Sequence, residues 1–119
     1  MNRMYTRFLL GVSSISGGEF TISGVQEDVV QTNWDEDTGI QTIRFQYNGR
    51  PYEYAAKFMG DWLDMGVVAF MNGVFKAEGN PKRLYCFGDQ VQIMFYNTKE
   101  WAERFTEATG EALSDAPFQ

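Results

Sequence analysis

Asp61 and Asp64 come nearest to acid–base chemistry in this 119-residue chain. Three residues apart at a helix start, two carboxylates lie near one face and could act as an acid/base pair or hold a divalent cation. The plainer reading is capping, because Asp is favoured at helix N-termini without any function. Asp64 also falls inside the apolar arc of its predicted helix, which would bury it in part and raise its pKa. With Glu53 as second carboxyl it would give a hydrolase, a chemistry that needs the two groups about 5–9.5 Å apart across a cleft.

The chain has no histidine. That removes His-based triads, Cys-His dyads and His-ligated metal centres. The lone Cys86 excludes an internal disulfide and thiolate zinc clusters. With no histidine to activate it, Cys86 reads as a small buried apolar side chain. The stretch NWDEDTG, residues 33–39, superficially fits a calcium loop. With Asn33 as position 1, however, glycine comes one residue late and Arg44 stands where the closing Glu belongs. A polar hairpin turn is the better reading. No catalytic residue, metal ligand or cofactor is assigned, and the residue set leans away from an enzyme.

Ten basic residues against sixteen acidic ones leave a net charge of −6. That argues against nucleic acid and anionic membranes as partners, since both need a basic footprint. The only long apolar stretch, KFMGDWLDMGVVAFMNGVFK at 57–76, carries Asp61, Asp64 and Asn72, which a membrane span would not. The apolar run Phe8-Leu9-Leu10 is too short for a signal h-region. The compartment stays open: the cytoplasm is favoured, and secretion after removal of a signal is the alternative.

Binding is the stronger prospect. Ten Phe, six Tyr and three Trp are many for one small core. A tight hairpin with Gly88-Asp89 at its tip would put Leu84, Cys86, Val91, Ile93 and Phe95 on one face. Tyr85, Phe87, Gln92, Met94 and Tyr96 would share the other. If helices cover the first face, Tyr85, Phe87, Met94 and Tyr96 form an exposed aromatic patch for protein or sugar, unless the N-terminal residues cover it. Gly66, Ala69, Gly73 and Ala77 line one ridge of the central helix. Interior glycines cost roughly 1 kcal/mol each against alanine, so close approach of another backbone, in this chain or a partner, is expected at Gly66 and Gly73. Glu100, Glu103 and Glu107 share the solvated side of the last helix, or a docking face for a basic partner.

The elements that must position these residues follow from pattern. Residues 1–30 read as irregular or strand-like: Tyr5 to Val12 suits a strand or a short helix, SSISGG at 13–18 is a connector, and Phe20 to Ser23 is a short strand broken by Gly24. Val29 to Trp34 and Ile40 to Tyr47 are strands. Asn48-Gly49 then demands a type I′ turn, which sets Tyr47 opposite Arg50, Phe45 opposite Tyr52, Ile43 opposite Tyr54 and Arg44 opposite Glu53. Pro51 belongs at a sheet edge or beside a late-starting ladder. A helix from about Asp61 to Glu78, stopped by Gly79 and Pro81, carries an apolar arc of roughly 160°. After the second hairpin, Asn97 with Glu100 caps a helix ended by Gly110, and 111–119 is a frayed tail.

The sequence therefore predicts one α+β domain: a mainly antiparallel sheet of β-hairpins with two amphipathic helices packed on one face, in two layers. Its leading functional reading is a non-catalytic module that binds another protein or itself, as a homodimer. The alternative is a ligand- or carbohydrate-binding domain using Tyr85, Phe87, Tyr96 or Trp34 as stacking platforms.

Overall fold

A computed structural model of the chain describes residues 3–33, 38–57, 63–88 and 93–117. Expectations for Trp34, the 35–37 turn, Asp61 and the Gly88-Asp89 tip beyond Gly88 fall outside them. The chain divides into two compact units, Met1–Val67 and Val68–Gln119. The class is α+β, with helices packed on antiparallel strands.

In the first unit, helix α1 (Met4–Ile15) precedes strands β1 (Ser23–Asn33), β2 (Thr38–Tyr47) and β3 (Arg50–Lys57), paired in the order β1-β2-β3. The Asn48-Gly49 turn has φ values of 54° and 75°, both left-handed as a type I′ turn requires. It fixes the register expected from the sequence, Tyr47↔Arg50, Phe45↔Tyr52, Ile43↔Tyr54 and Arg44↔Glu53. Pro51 lies on β3, the outer strand of this sheet, where its missing N–H breaks no ladder bond. Ile43, Phe45, Tyr47 and Ala56 share the buried face, with Phe20 edge-on to Tyr47 at 4.9 Å between ring centroids. On the other face Arg44 reaches Glu53 at 3.1 Å and Asp28 at 3.0 Å, tying all three strands.

Two expectations for the first thirty residues are corrected. Gly24 does not break a strand. It takes φ 61°, and β1 spends one residue more than β2 between Ser23 and Gln26, so glycine makes a β-bulge inside one long strand. The segment before it is not irregular or strand-like throughout: of the strand and the short helix open for Tyr5 to Val12, the helix forms, 12 residues long. Tyr5, Leu9 and Val12 form its buried stripe at i, i+4 and i+7. Its start has no side-chain cap of its own and no acidic residue in its first turn. Glu27, on the core face of β1 beside Ile43, supplies both: its carboxylate accepts the Thr6 N–H at 2.9 Å and the Thr6 hydroxyl at 2.8 Å, and binds the Tyr5 N–H and the Gln41 amide. Four donors and the positive end of a helix make a 5 % exposed carboxylate tolerable.

The second unit holds most of helix α2 (Gly66–Ala77), strands β4 (Lys82–Phe87) and β5 (Ile93–Thr98), and helix α3 (Lys99–Thr109). Helix α2 ends as expected at Gly79 (φ 74°): the Gly79 N–H bonds Lys76 and the Asn80 N–H bonds Phe75, a Schellman motif. Gly110 likewise closes α3. The α3 cap is one residue later than Asn97: Thr98 Oγ1 accepts the Trp101 N–H at 3.2 Å, while Asn97 bonds the Thr98 N–H.

The β4–β5 register differs from the expected one. A two-residue tip would pair Phe87 with Gln90, but Phe87 pairs with Ile93, a slip of three. An odd slip turns β5 over relative to β4. Leu84, Cys86, Met94 and Tyr96 now share one face, and Tyr85, Phe87, Ile93 and Phe95 the other. Helix α2 reaches the first face, with Phe75 edge-on to Tyr96 at 5.4 Å. Helix α3 lies on the second, where Trp101 and Phe105 meet Phe95 at 5.1 and 5.3 Å and Phe87 lies 5.8 Å from Phe105.

Candidate functional site

The register decides what becomes of the expected aromatic patch. Tyr85 and Phe87 go one way, Met94 and Tyr96 the other, so the four never form a common surface. Tyr96 is buried, and its hydroxyl takes the Asn80 amide at 2.6 Å. Phe87 is stacked on Phe95 at 6.0 Å and half-buried. Met94 is half-buried opposite Cys86. Cys86 itself is 1 % exposed and burial pushes its thiol up to about 11, so it is the inert apolar side chain expected.

Tyr85 is also largely buried, yet it forms the floor of an open groove of about 490 Å³. One wall is α3, through Ala102, Glu103 and Glu107; the other is the C-terminal segment, through Leu113 and Asp115. Lys99 stands at the rim and meets Glu103 at 3.9 Å, an exposed i,i+4 pair of little energetic weight. Three carboxylates against one ammonium leave the groove negative. The Tyr85 hydroxyl reports this: burial raises its pKa first, the Asp115 charge raises it further, and Arg83 pulls the other way. The acidic side of α3 was legible in the sequence. Leu113 and Asp115 were not, because the tail expected to fray is in place: Ser114 exchanges two 2.8 Å backbone bonds with Cys86, and Pro117 is buried.

The small-residue ridge has two different ends. Gly66 is not interior but opens α2, where its N–H bonds the Asp64 carboxylate at 3.0 Å. Gly73 is exposed, and a Cβ built there meets nothing within 4 Å. Close approach by the described residues of this chain therefore does not account for Gly73.

Asp64 is a cap, as the plainer reading held, but it stands two residues before the first helical residue, Gly66, rather than in the first turn. Its carboxylate also accepts the Tyr54 hydroxyl at 3.0 Å and the Lys57 N–H at 3.1 Å, and its own N–H donates to the Tyr5 hydroxyl at 2.7 Å. Burial pushes the carboxyl up, but the Lys57 and Gly66 N–H groups, the Tyr54 hydroxyl and the Lys57 charge outweigh it and hold Asp64 below the ordinary aspartate range. The expected raised pKa is thus reversed, and with it the role of proton donor. Glu53 lies on the opposite face of β3 from Tyr54 and is engaged by Arg44, so Asp64 and Glu53 are not brought together.

A second groove, about 560 Å³, lies on the first unit, lined by Gln26, Arg44, Gln46, Glu53 and the half-buried Tyr52 among others. Among the described residues no group of three or more Asp, Glu, Cys or His is placed to hold a metal ion, and no helix is long and apolar enough to cross a membrane. Comparison with protein-family models, curated proteins and solved structures found no match to this chain.

Proposed function

We propose that the protein is a non-catalytic interaction module, and that the Tyr85 groove takes a lysine or arginine side chain from a short basic segment of a partner protein. The observation that carries this is the groove's construction: a tyrosine floor and apolar Ala102 and Leu113, ringed by Glu103, Glu107 and Asp115. Long cationic side chains lay their methylenes on such a surface while the charge stays among carboxylates. The volume suits one side chain and its neighbours rather than a broad interface, so affinity is modest and salt-sensitive.

The test is titration of a fluorescein-labelled Lys/Arg-rich peptide into the full chain, read by anisotropy at two salt concentrations. Binding that weakens with salt, and that falls several-fold in Glu107→Gln and in Asp115→Asn, is expected. Both positions are exposed, so the fold survives. Binding indifferent to both substitutions, or none at all, removes the reading.

The alternative, a sugar- or ligand-binding domain, loses Tyr96 as a platform, because it is buried with its hydroxyl bonded to Asn80. It draws instead on the second groove, whose lining includes Gln26, Gln46 and Tyr52, a mix of polar and aromatic residues. A glycan titration in which Gln46→Ala abolishes binding would favour it over the basic-peptide reading.

A further inference from the structure

Every second residue of an edge strand turns its N–H and C=O away from its partner. On β4 these residues are Lys82, Leu84 and Cys86, and each outward N–H is occupied. The Lys82 N–H donates to Asn80 Oδ1 at 2.9 Å. The Leu84 N–H donates to Asn72 Oδ1 at 2.7 Å, and the Leu84 carbonyl accepts from Asn72 Nδ2 at 3.0 Å. One side-chain carboxamide thus makes the reciprocal pair that a neighbouring strand would make. At Cys86 the pair is completed by the backbone of Ser114, with both bonds 2.8 Å. The same Asn72 amide reaches on to the Asp115 carbonyl at 2.9 Å, so it joins β4 to the C-terminal segment. Unprotected edges invite strand pairing, and this one is blunted by two asparagines and a piece of tail.

Asn72 is held on α2, and Asn80 by its N–H bond to Phe75 and its amide bond to the Tyr96 hydroxyl, whereas residues 111–117 lie in no helix or strand. The described tail is tied to the rest of the unit by the two backbone bonds at Cys86, the Asn72–Asp115 bond and a bond from the Glu111 N–H to the Thr109 hydroxyl where it leaves α3. Glu111, Ala112, Ser114 and Asp115 are exposed, Leu113 and Ala116 are half-buried, and Pro117 is buried. The tail leaves α3 at Gly110, whose φ of 78° sets its direction at a residue free to adopt others.

We infer that the β4 edge is a strand-acceptor site whose exchangeable occupant is the C-terminal segment, supplied here by the same chain and in trans by a second copy. The second copy is the fitting partner because its segment is chemically identical: reciprocal exchange re-forms both Cys86–Ser114 bonds and the Asn72–Asp115 bond in each half, with no new contact needed. Exchange also carries Leu113 and Asp115 across, so each groove of the dimer has one wall from its partner. The inference stands on the edge bonds and does not depend on what the groove binds.

A cysteine trap tests it on the full chain. Directly opposed residues of a hydrogen-bonded antiparallel pair lie about 5.5 Å apart at Cα, inside the range a disulfide spans. Ser114→Cys therefore faces Cys86, the chain's one natural cysteine. On oxidation at micromolar protein the link should close within one chain. After equilibration at millimolar protein, a dimer held by interchain Cys86 links should rise several-fold, and rise further with salt, which screens the repulsion of two chains of charge −6. A link that stays within one chain at every concentration overturns the inference, as does the absence of any link. A second measurement needs no substitution: tagged and untagged natural chains, mixed at millimolar concentration, should co-purify on the tag, and failure to do so counts equally against exchange.

Discussion

Glu27 caps a helix from a strand 21 positions away, accepting the Thr6 N–H at 2.9 Å and the Thr6 hydroxyl at 2.8 Å. The carboxylate is buried at the positive end of α1, with Gln41 on its other oxygen. It substitutes for the local cap that the sequence around Arg3 does not provide. A helix whose start is completed by tertiary structure should form together with β1 and β2, not before them.

Glu27→Ala should therefore destabilise the first unit by about 2–4 kcal/mol, because it leaves buried donors at Tyr5, Thr6 and Gln41 without their acceptor. Glu27→Gln keeps the shape and one acceptor oxygen and should cost less. Urea unfolding followed by circular dichroism measures both. Equal stability of Glu27→Ala and the natural chain would refute the capping role.

Asp64 links stability to acid. Its folded carboxyl binds a proton less readily than the unfolded one, whose ordinary value is 3.8. Its contribution is thus full above that value and is lost as pH falls through the lower folded value. Asp64→Ala should cost about 1 kcal/mol at neutral pH, as loss of an N-cap does. The gap between variant and natural chain should narrow below about pH 4. A gap that widens on acidification would contradict the ionised cap.

The alkaline side belongs to the tyrosines around Asp64. Burial pushes Tyr5 up to about 12, eased by the Asp64 N–H and reinforced by the Asp64 and Glu27 charges; Tyr54 is raised too, by burial and by its bond to Asp64. Folded phenols that keep protons which the unfolded chain releases near 10 stabilise the fold below that pH, and the benefit fades as pH rises toward 12. Absorbance at the phenolate band should show some of the six tyrosines ionising only together with unfolding. Tyr54→Phe should remove part of that late step.

Gly73 is a simple stability test. A methyl there meets nothing within 4 Å, so Gly73→Ala should stabilise the isolated chain by about 0.8–1 kcal/mol through helix propensity. For a chain of this size that is roughly 3–6 °C in Tm. If a partner backbone packs on this ridge, the same substitution should weaken that association while still raising Tm.

The sequence by itself determined the elements whose geometry is local. Asn48-Gly49 admits one tight turn, and with it the pairings from Tyr47↔Arg50 to Ile43↔Tyr54 follow. Gly79 and Gly110 stop their helices because the chain must turn left-handed there. The missing histidine and lone Cys86 limited the chemistry before any fold was known. Asp64 was legible as a cap because Asp at a helix start is a short-range preference.

Tertiary structure decided what depends on distant partners. Tyr5, Leu9 and Val12 carry a helical stripe, but the cap that lets α1 start is Glu27 on another element. In the second hairpin Phe87 pairs with Ile93 rather than with Gln90, so the Gly88-Asp89 pair does not set the register as Asn48-Gly49 does. Packing of Phe75 on one side and of Trp101 and Phe105 on the other accompanies the register that does form. Because side chains alternate along a strand, a slip of three placed Tyr85 under α3 and Tyr96 under α2, dissolving one patch and leaving Tyr85 as the floor of another site. The docked tail is the same lesson: Ser114 and Asp115 are ordered by backbone bonds to β4 and Asn72, and backbone bonds carry no signature in the sequence.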